Sequence, residues 1–255
     1  MDLIQALILS FVEGVTEFLP ISSTGHLILV SYILNITNTE FVKSFLIIIQ
    51  LGAILSVVVL YFKMLTNIKI WPKILVGFIP SAAVGLIFYE FIKNTLIGNS
   101  FVTVIALFIG GAIFILVEMW NKKREKTLTL DQLDYKNALL IGVFQSISVI
   151  PGTSRAGATI LGALILGFNR KTAAEFSFLL AIPTMLGATG LDIAKTRLEF
   201  SQNELILLII GFVASFIFAL LSVKLLLSYI KDHTFIIFGV YRIIVAILFY
   251  LIFLI

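Results

Sequence analysis

Within fourteen residues, from 13 to 26, the chain places Glu13, Glu17, Ser22, Ser23, Thr24 and His26 in a stretch otherwise close to continuous hydrocarbon. Glu13 and Glu17 are four apart, so on a helix they share a face with Cβ atoms about 6 Å apart. Two carboxylates that close in low dielectric do not both stay ionised without a cation beside them. A hard divalent ion such as Mg2+ is held by one or two carboxylates plus substrate phosphate oxygens, which makes Glu13 and Glu17 candidate metal ligands. The competing reading is a structural pair, one member protonated, bonded to neighbouring backbone. The next residues, Pro20 to His26, read as a turn followed by a helix start. Free amides there, with the hydroxyls of Ser22, Ser23 and Thr24, make an anion site. Ser23 and His26 are three apart, and a hydroxyl beside an imidazole is the pairing that activates a nucleophile. Ordinary helix capping, with His26 a buried neutral residue, accounts for the same residues without chemistry.

A second polar stretch, Pro151 to Thr159, brings Thr153, Ser154, Arg155 and Thr159. Arg155 is permanently charged and carries a planar fork of donors suited to phosphate oxygens. It is equally able to pair with Glu13 or Glu17 until a substrate arrives. Gln50, inside an apolar run, is either a helix-packing hydrogen bond or a substrate contact. Arg242, some seven residues into the last run, is either part of the site or a snorkelling cation. His233 sits in a basic loop and reads as surface.

These residues need a scaffold, and composition says which kind. The chain has 255 residues, 60% hydrophobic and 13% charged, with a mean hydropathy of +1.13. A soluble domain carries about 25% charge, and the apolar runs exceed barrel-strand length, so the fold class is an all-α polytopic membrane protein. No basic leader segment precedes the first apolar run, and the absence of cysteine excludes thiolate metal sites and disulfides. An ionised side chain at mid-bilayer depth costs roughly 2.5–3.5 kcal/mol, so an intramembrane polar cluster is a functional site by default. Nothing in the pattern calls for nucleic acid.

The apolar runs fall into two sets. Spans are expected at 43–62, 74–92 and 101–120, then at 175–194, 204–227 and 235–255. Each set is preceded by a shorter, broken block: 3–34, interrupted at Pro20, and 138–168, interrupted at Pro151–Gly152. Such broken blocks are tolerated at membrane depth only where they line an enclosed cavity, and each is expected to form a re-entrant helix pair. The halves align at offsets of 131 to 134: Glu13 with Gln145, Pro20 with Pro151, Ser23 with Ser154, Phe45 with Phe176. We therefore expect an internal repeat: 1–120, a cytoplasmic linker at 121–136, and 137–255. A re-entrant pair plus three spans crosses an odd number of times, so the second copy is inverted. Loops 63–73, 121–136, 167–174 and 224–234 carry twelve Lys and Arg, against Lys43, Lys93, Lys195 and Arg197 on the other side. That asymmetry puts the first group in the cytoplasm and both termini outside.

With these motifs in hand, the sequence resembles the undecaprenyl pyrophosphate phosphatase (bacitracin-resistance) family of bacterial inner-membrane proteins. The family's Glu/Gln-x-x-x-Glu matches Glu13 and Glu17, and its Ser-Ser-Thr-Gly-His matches Ser22 to His26. Its Pro-Gly-x-Ser-Arg-Ser-x-x-Thr matches Pro151 to Thr159, with Ala156 where the family usually has serine. The likeness covers essentially the whole chain. It implies hydrolysis of undecaprenyl diphosphate to the monophosphate, which recycles the carrier lipid of cell-wall synthesis and underlies bacitracin resistance. It also implies a site open to the periplasmic side and a divalent cation, Mg2+ or Ca2+. In the expected mechanism Glu13 and Glu17 hold the metal and Arg155 clamps the phosphoryl oxygens. Ser23 attacks with His26 as base or acid, attack by His26 or water being the alternatives. Ser22, Thr24, Thr153, Ser154, Thr159 and Gln50 are the expected substrate contacts, and a homodimer is compatible with the chain. The rival class is a polyprenyl-phosphate transporter or flippase using the same midplane site. A two-histidine lipid phosphatase does not fit, since only His26 and His233 are present.

Overall fold

The computed structural model describes residues 1–37, 39–96, 99–121, 127–195 and 200–253. Among them the secondary structure is helical, with one isolated bridge between Leu128 and Phe168. In chain order the helices are α1 (Leu3–Thr16), α2 (Ser23–Ile33), α3 (Glu40–Leu60), the short α4 (Phe62–Leu65), α5 (Trp71–Ile87) and the short α6 (Tyr89–Phe91). They continue with α7 (Ser100–Asn121), α8 (Tyr135–Ser146), α9 (Arg155–Ile165), α10 (Arg170–Lys195), α11 (Gln202–Asp232) and α12 (Ile236–Phe253). Polar caps start the apolar runs. Asp2 and Gln5 form a capping box on α1, Thr39 caps α3, Asp134 caps α8, and Ser201 with Glu204 boxes α11. Each satisfies first-turn amides that hydrocarbon cannot.

Five helical stretches are long and apolar enough to cross a membrane: Glu40–Leu60, Ile68–Ile87, Ser100–Asn121, Arg170–Gly190 and Gln202–Asp232. The expected sixth span, α12, is a shorter apolar helix. The run expected at 74–92 starts earlier and stops at Ile87, where the chain leaves α5 for α6. Of the residues used for the charge asymmetry, Lys122, Lys123, Arg124, Lys126 and Arg197 lie outside the described residues, as does 122–126 of the expected linker. Exposed leucines, isoleucines and phenylalanines cover the outer faces of α5, α7, α11 and α12, the surface expected of helices solvated by lipid.

Both broken blocks fold as helix–turn–helix pairs, α1–α2 and α8–α9, and they repeat one another's backbone. α2 and α9 are each 11 residues long. Each starts after a serine in the left-handed region, Ser22 at φ 72° and Ser154 at φ 71°. Each ends on a left-handed residue, Asn35 at φ 51° and Gly167 at φ 101°. The closing bonds match too: Ile36 N–H to the Ser31 carbonyl at 2.9 Å, and Phe168 N–H to the Ala163 carbonyl at 3.1 Å. These equivalent positions lie 132 apart throughout. The backbone thus pairs Ser22, not Ser23, with Ser154. One more residue separates Pro151 from its cap than separates Pro20 from its own, which is what misled the alignment.

The packing mirrors this. α1 lies along α11, and α8 along α5. Hydroxyls on α11 make its contacts close: Ser222 donates to the Val15 carbonyl of α1 at 2.8 Å, and Ser215 to the Ile49 carbonyl of α3 at 2.5 Å. α12 packs on α7 where Gly111 and Gly239 meet. A Cβ on either would lie 2.7 Å from the other's carbonyl oxygen, so both must be glycine for the helices to touch. α10, the most enclosed of the spans, runs through the middle beside α3, α5 and α9.

Candidate active site

Glu17 ends α1, its amide still bonded to the Glu13 carbonyl at 2.9 Å, so the two carboxylates keep the one-turn spacing expected of them. The Glu17 carboxylate is shared between the two helix–turn–helix pairs. One oxygen accepts from the Ser23 hydroxyl at 2.5 Å, and the other from Nη2 of Arg155 at 2.8 Å. Both partners of the ion pair are largely buried, with side chains 8% and 11% exposed. In such an environment, removing one partner of a pair costs about 3–5 kcal/mol because the other charge is stranded. Arg155 opens α9 and is held from behind. Its Nη1 donates to the Ser177 carbonyl at 3.1 Å, and its guanidinium lies over the Phe18 ring at 5.6 Å. Of the readings of Arg155 open at the sequence level, this resting state realises the pairing with Glu17.

Two groups are left unspent. Glu13 has no exposed surface, and neither carboxylate oxygen has a hydrogen-bond partner; the Nε of Arg155 is also buried and unpaired. Glu13 is in electrostatic contact with Glu17 and Arg155. A buried carboxylate with two orphaned oxygens beside a second carboxylate is a donor set that fits a divalent cation. Among the described residues no third acidic or histidine ligand joins them. A cation held here would have to draw its remaining ligands from phosphate oxygens and water, as Mg2+ commonly does.

The expected pairing of Ser23 with His26 does not form. Nδ1–H of His26 donates one turn back to the Ser22 carbonyl at 2.8 Å, and since a carbonyl only accepts, that nitrogen carries the proton. In the neutral ring Nε2 then accepts from the Tyr241 hydroxyl at 2.7 Å. The Ser23 hydroxyl instead points back to the end of α1, which makes Glu17 its proton acceptor. Sharing a helix face at a spacing of three does not decide which neighbour a hydroxyl chooses.

The remaining sequence candidates separate. Ser22 makes no side-chain cap bond, leaving first-turn amides of α2 without one. Thr24 is exposed beside it. Ser154 does cap its helix, accepting from Gly157 N–H at 3.0 Å. Thr153 is half-buried, and its carbonyl is taken by Arg242 at 2.9 Å. Thr159 is fully buried and spent, donating to Ser177 Oγ at 2.6 Å and to the backbone of α9. It supports the residue that holds Arg155 and does not line the site. Gln50 is half-buried on α3, outside the bonds that hold this cluster. Gln145 donates to Ser81 at 2.6 Å and Thr184 at 3.0 Å, a structural tether where the first loop has Glu13. His233 is exposed, as expected. Arg242 does not snorkel: it is completely buried. Ser177 and Tyr241 were not singled out from the sequence; the one signal was a hydroxyl within an apolar run.

Comparison with known proteins gives the family. The family model described as Bacitracin resistance protein BacA matches residues 6–248. The chain belongs to the BacA family. Among its relatives, the undecaprenyl-diphosphatase of Aquifex aeolicus is 51% identical over 246 residues, 96% of each chain. That of a Sulfurihydrogenibium species is 50% identical over 252 residues, 98% of this chain and 99% of the relative. That of Wolinella succinogenes is 50% identical over 251 residues, 98% and 97%. The residues that carry the resemblance thus sit at the α1–α2 and α8–α9 turns, and the Glu17–Arg155 pair joins the two.

Proposed function

We propose that the chain is an integral-membrane lipid pyrophosphatase, hydrolysing undecaprenyl diphosphate to undecaprenyl phosphate and inorganic phosphate. The observation that carries this reading is a hydroxyl, a carboxylate and a guanidinium in one chain of bonds, beside a second carboxylate with nothing to bind. The relatives named undecaprenyl-diphosphatase support the substrate class. The polyprenyl tail stays in lipid while the diphosphate enters between the two turns.

In this mechanism Arg155 releases Glu17 and takes the terminal phosphoryl oxygens, so its charge is used twice. The Ser23 hydroxyl passes its proton to Glu17 as its oxygen attacks the terminal phosphorus. The Ser23 O–P bond forms, the bridging O–P bond breaks, and undecaprenyl phosphate leaves with the electron pair. Water then attacks the phosphoserine while His26 takes up its proton and returns it to the released inorganic phosphate, and Glu17 gives its proton back to Ser23. Glu13 and Glu17 are the residues that would hold Mg2+ or Ca2+, which when bound offsets the diphosphate charge. The unspent amides of α2 add donors for the same anion.

The matched backbone devices of α1–α2 and α8–α9 support an inverted duplication, each half a re-entrant pair plus three crossings. The basic loops support a cytoplasmic linker, both termini outside and a site open to the outer side of the inner membrane. Purified protein given a polyprenyl diphosphate should release phosphate with Mg2+ and stop with EDTA, and acid quench should trap phosphate on Ser23. Phosphate release without any trapped phosphoserine, with a Ser23→Ala variant still active, excludes the covalent route. No release from folded protein favours a transporter of phosphorylated lipid.

A further inference from the structure

Two adjacent residues on α12 reach the site from a helix that carries neither motif. Arg242 has no exposed surface, and among the described residues no carboxylate pairs with it. Its guanidinium has five N–H donors, and each meets a carbonyl oxygen. Nε donates to Leu107 at 3.3 Å and Nη2 to Ala106 at 3.1 Å, both on α7. Nη2 also donates to Gly152 at 3.0 Å. Nη1 donates to Pro20 at 3.1 Å and Thr153 at 2.9 Å. One side chain thus fastens the turn before α2 and the turn before α9 to each other and to α7. Gly110 makes room for it, since a Cβ there would lie 2.8 Å from the Arg242 Cζ. The preceding residue, Tyr241, holds Nε2 of His26 through its hydroxyl at 2.7 Å while its ring remains 40% exposed at the helix surface.

We infer that α12 positions the reactive groups through this pair: Arg242 sets the spacing of the two turns, and Tyr241 fixes the orientation of the His26 ring. The turns need such a brace. Each begins its helix with a non-glycine residue in the left-handed region, a conformation that persists only when the surroundings impose it. Arg242 binds carbonyls one or two residues before those serines, at Pro20, Gly152 and Thr153. Its positive charge, unpaired among the described residues, also lies within electrostatic reach of His26, a field that favours an anion between the turns. His26 is tethered at both ring nitrogens, and Tyr241 supplies the tether at Nε2, the atom left free of a proton. Both are positioning residues, and the inference rests on the phosphatase reading for what they position.

Tyr241→Phe removes one oxygen and keeps the packing, so it carries the test. We expect kcat to fall about tenfold with KM little changed, and the Nε2 resonance of His26 to move in nitrogen NMR of histidine-labelled protein. Arg242→Lys keeps the charge but has three donors for five carbonyls, and kcat should fall about 100-fold, the scale of a misplaced reacting group. An unmoved His26 resonance with unchanged kcat in Tyr241→Phe overturns the inference, whether or not Arg242→Lys folds. Wild-type protein that releases no phosphate overturns the phosphatase reading instead, and the nitrogen resonance then still decides the Tyr241 contact alone.

Discussion

The two helix–turn–helix loops share a backbone and divide the chemistry. α1–α2 and α8–α9 use the same left-handed serine, the same helix length and the same left-handed stop. The first loop leaves its polar groups unspent: Glu13 has two orphaned oxygens and Ser22 caps nothing. The second spends most of them on itself: Gln145 tethers Ser81 and Thr184, Ser154 caps α9, and Thr159 is locked to Ser177. Arg155 occupies the position equivalent to Ser23, so the cation of one loop meets the hydroxyl of the other at Glu17. The same turn geometry occurs twice, and only the first loop carries acids at Glu13 and Glu17.

This contrast can be broken from the first loop outward. Glu13→Gln makes the first loop resemble the second. It should cost about 100-fold in kcat, on the scale of one lost electrostatic group, and the residual rate should lose its response to Mg2+ in a phosphate-release assay. A Glu13→Gln variant that keeps its metal response would remove Glu13 from the metal site. A smaller effect is expected on the structural side. Ser154→Ala deletes a cap and should lower stability by about 1 kcal/mol, whereas Ser22→Ala deletes none and should cost less. Thermal unfolding in detergent compares the two, and equal losses would mean the first serine also caps its helix in solution.

Much of this was readable in the amino-acid sequence, because lipid imposes simple rules. Long apolar runs located five of the six expected spans to within about six residues, and Pro20 and Pro151–Gly152 marked the broken helices. The polar motifs stood out against hydrocarbon, and the Arg155 salt bridge was one of two readings already weighed. What stayed hidden depends on contacts between distant residues. Tyr241 meets His26 across 215 positions, and no periodicity marks it. Arg242 looked as able to snorkel as to join a site; only the convergence of five carbonyls shows why it is buried. The partner of Ser23 was hidden for another reason: Glu17 and His26 are both near in sequence, and rotamer choice decides between them.

The central claim is that one site is built from both loops through Glu17 and Arg155. Phosphate release by the wild type, Glu17→Gln, Arg155→Ala and the double variant tests it most directly. Each single change should lower kcat at least ~100-fold, and the double variant should be little worse than either, since both changes break one interaction. Losses that multiply in the double variant would mean that the two residues act independently and that the loops do not share a site.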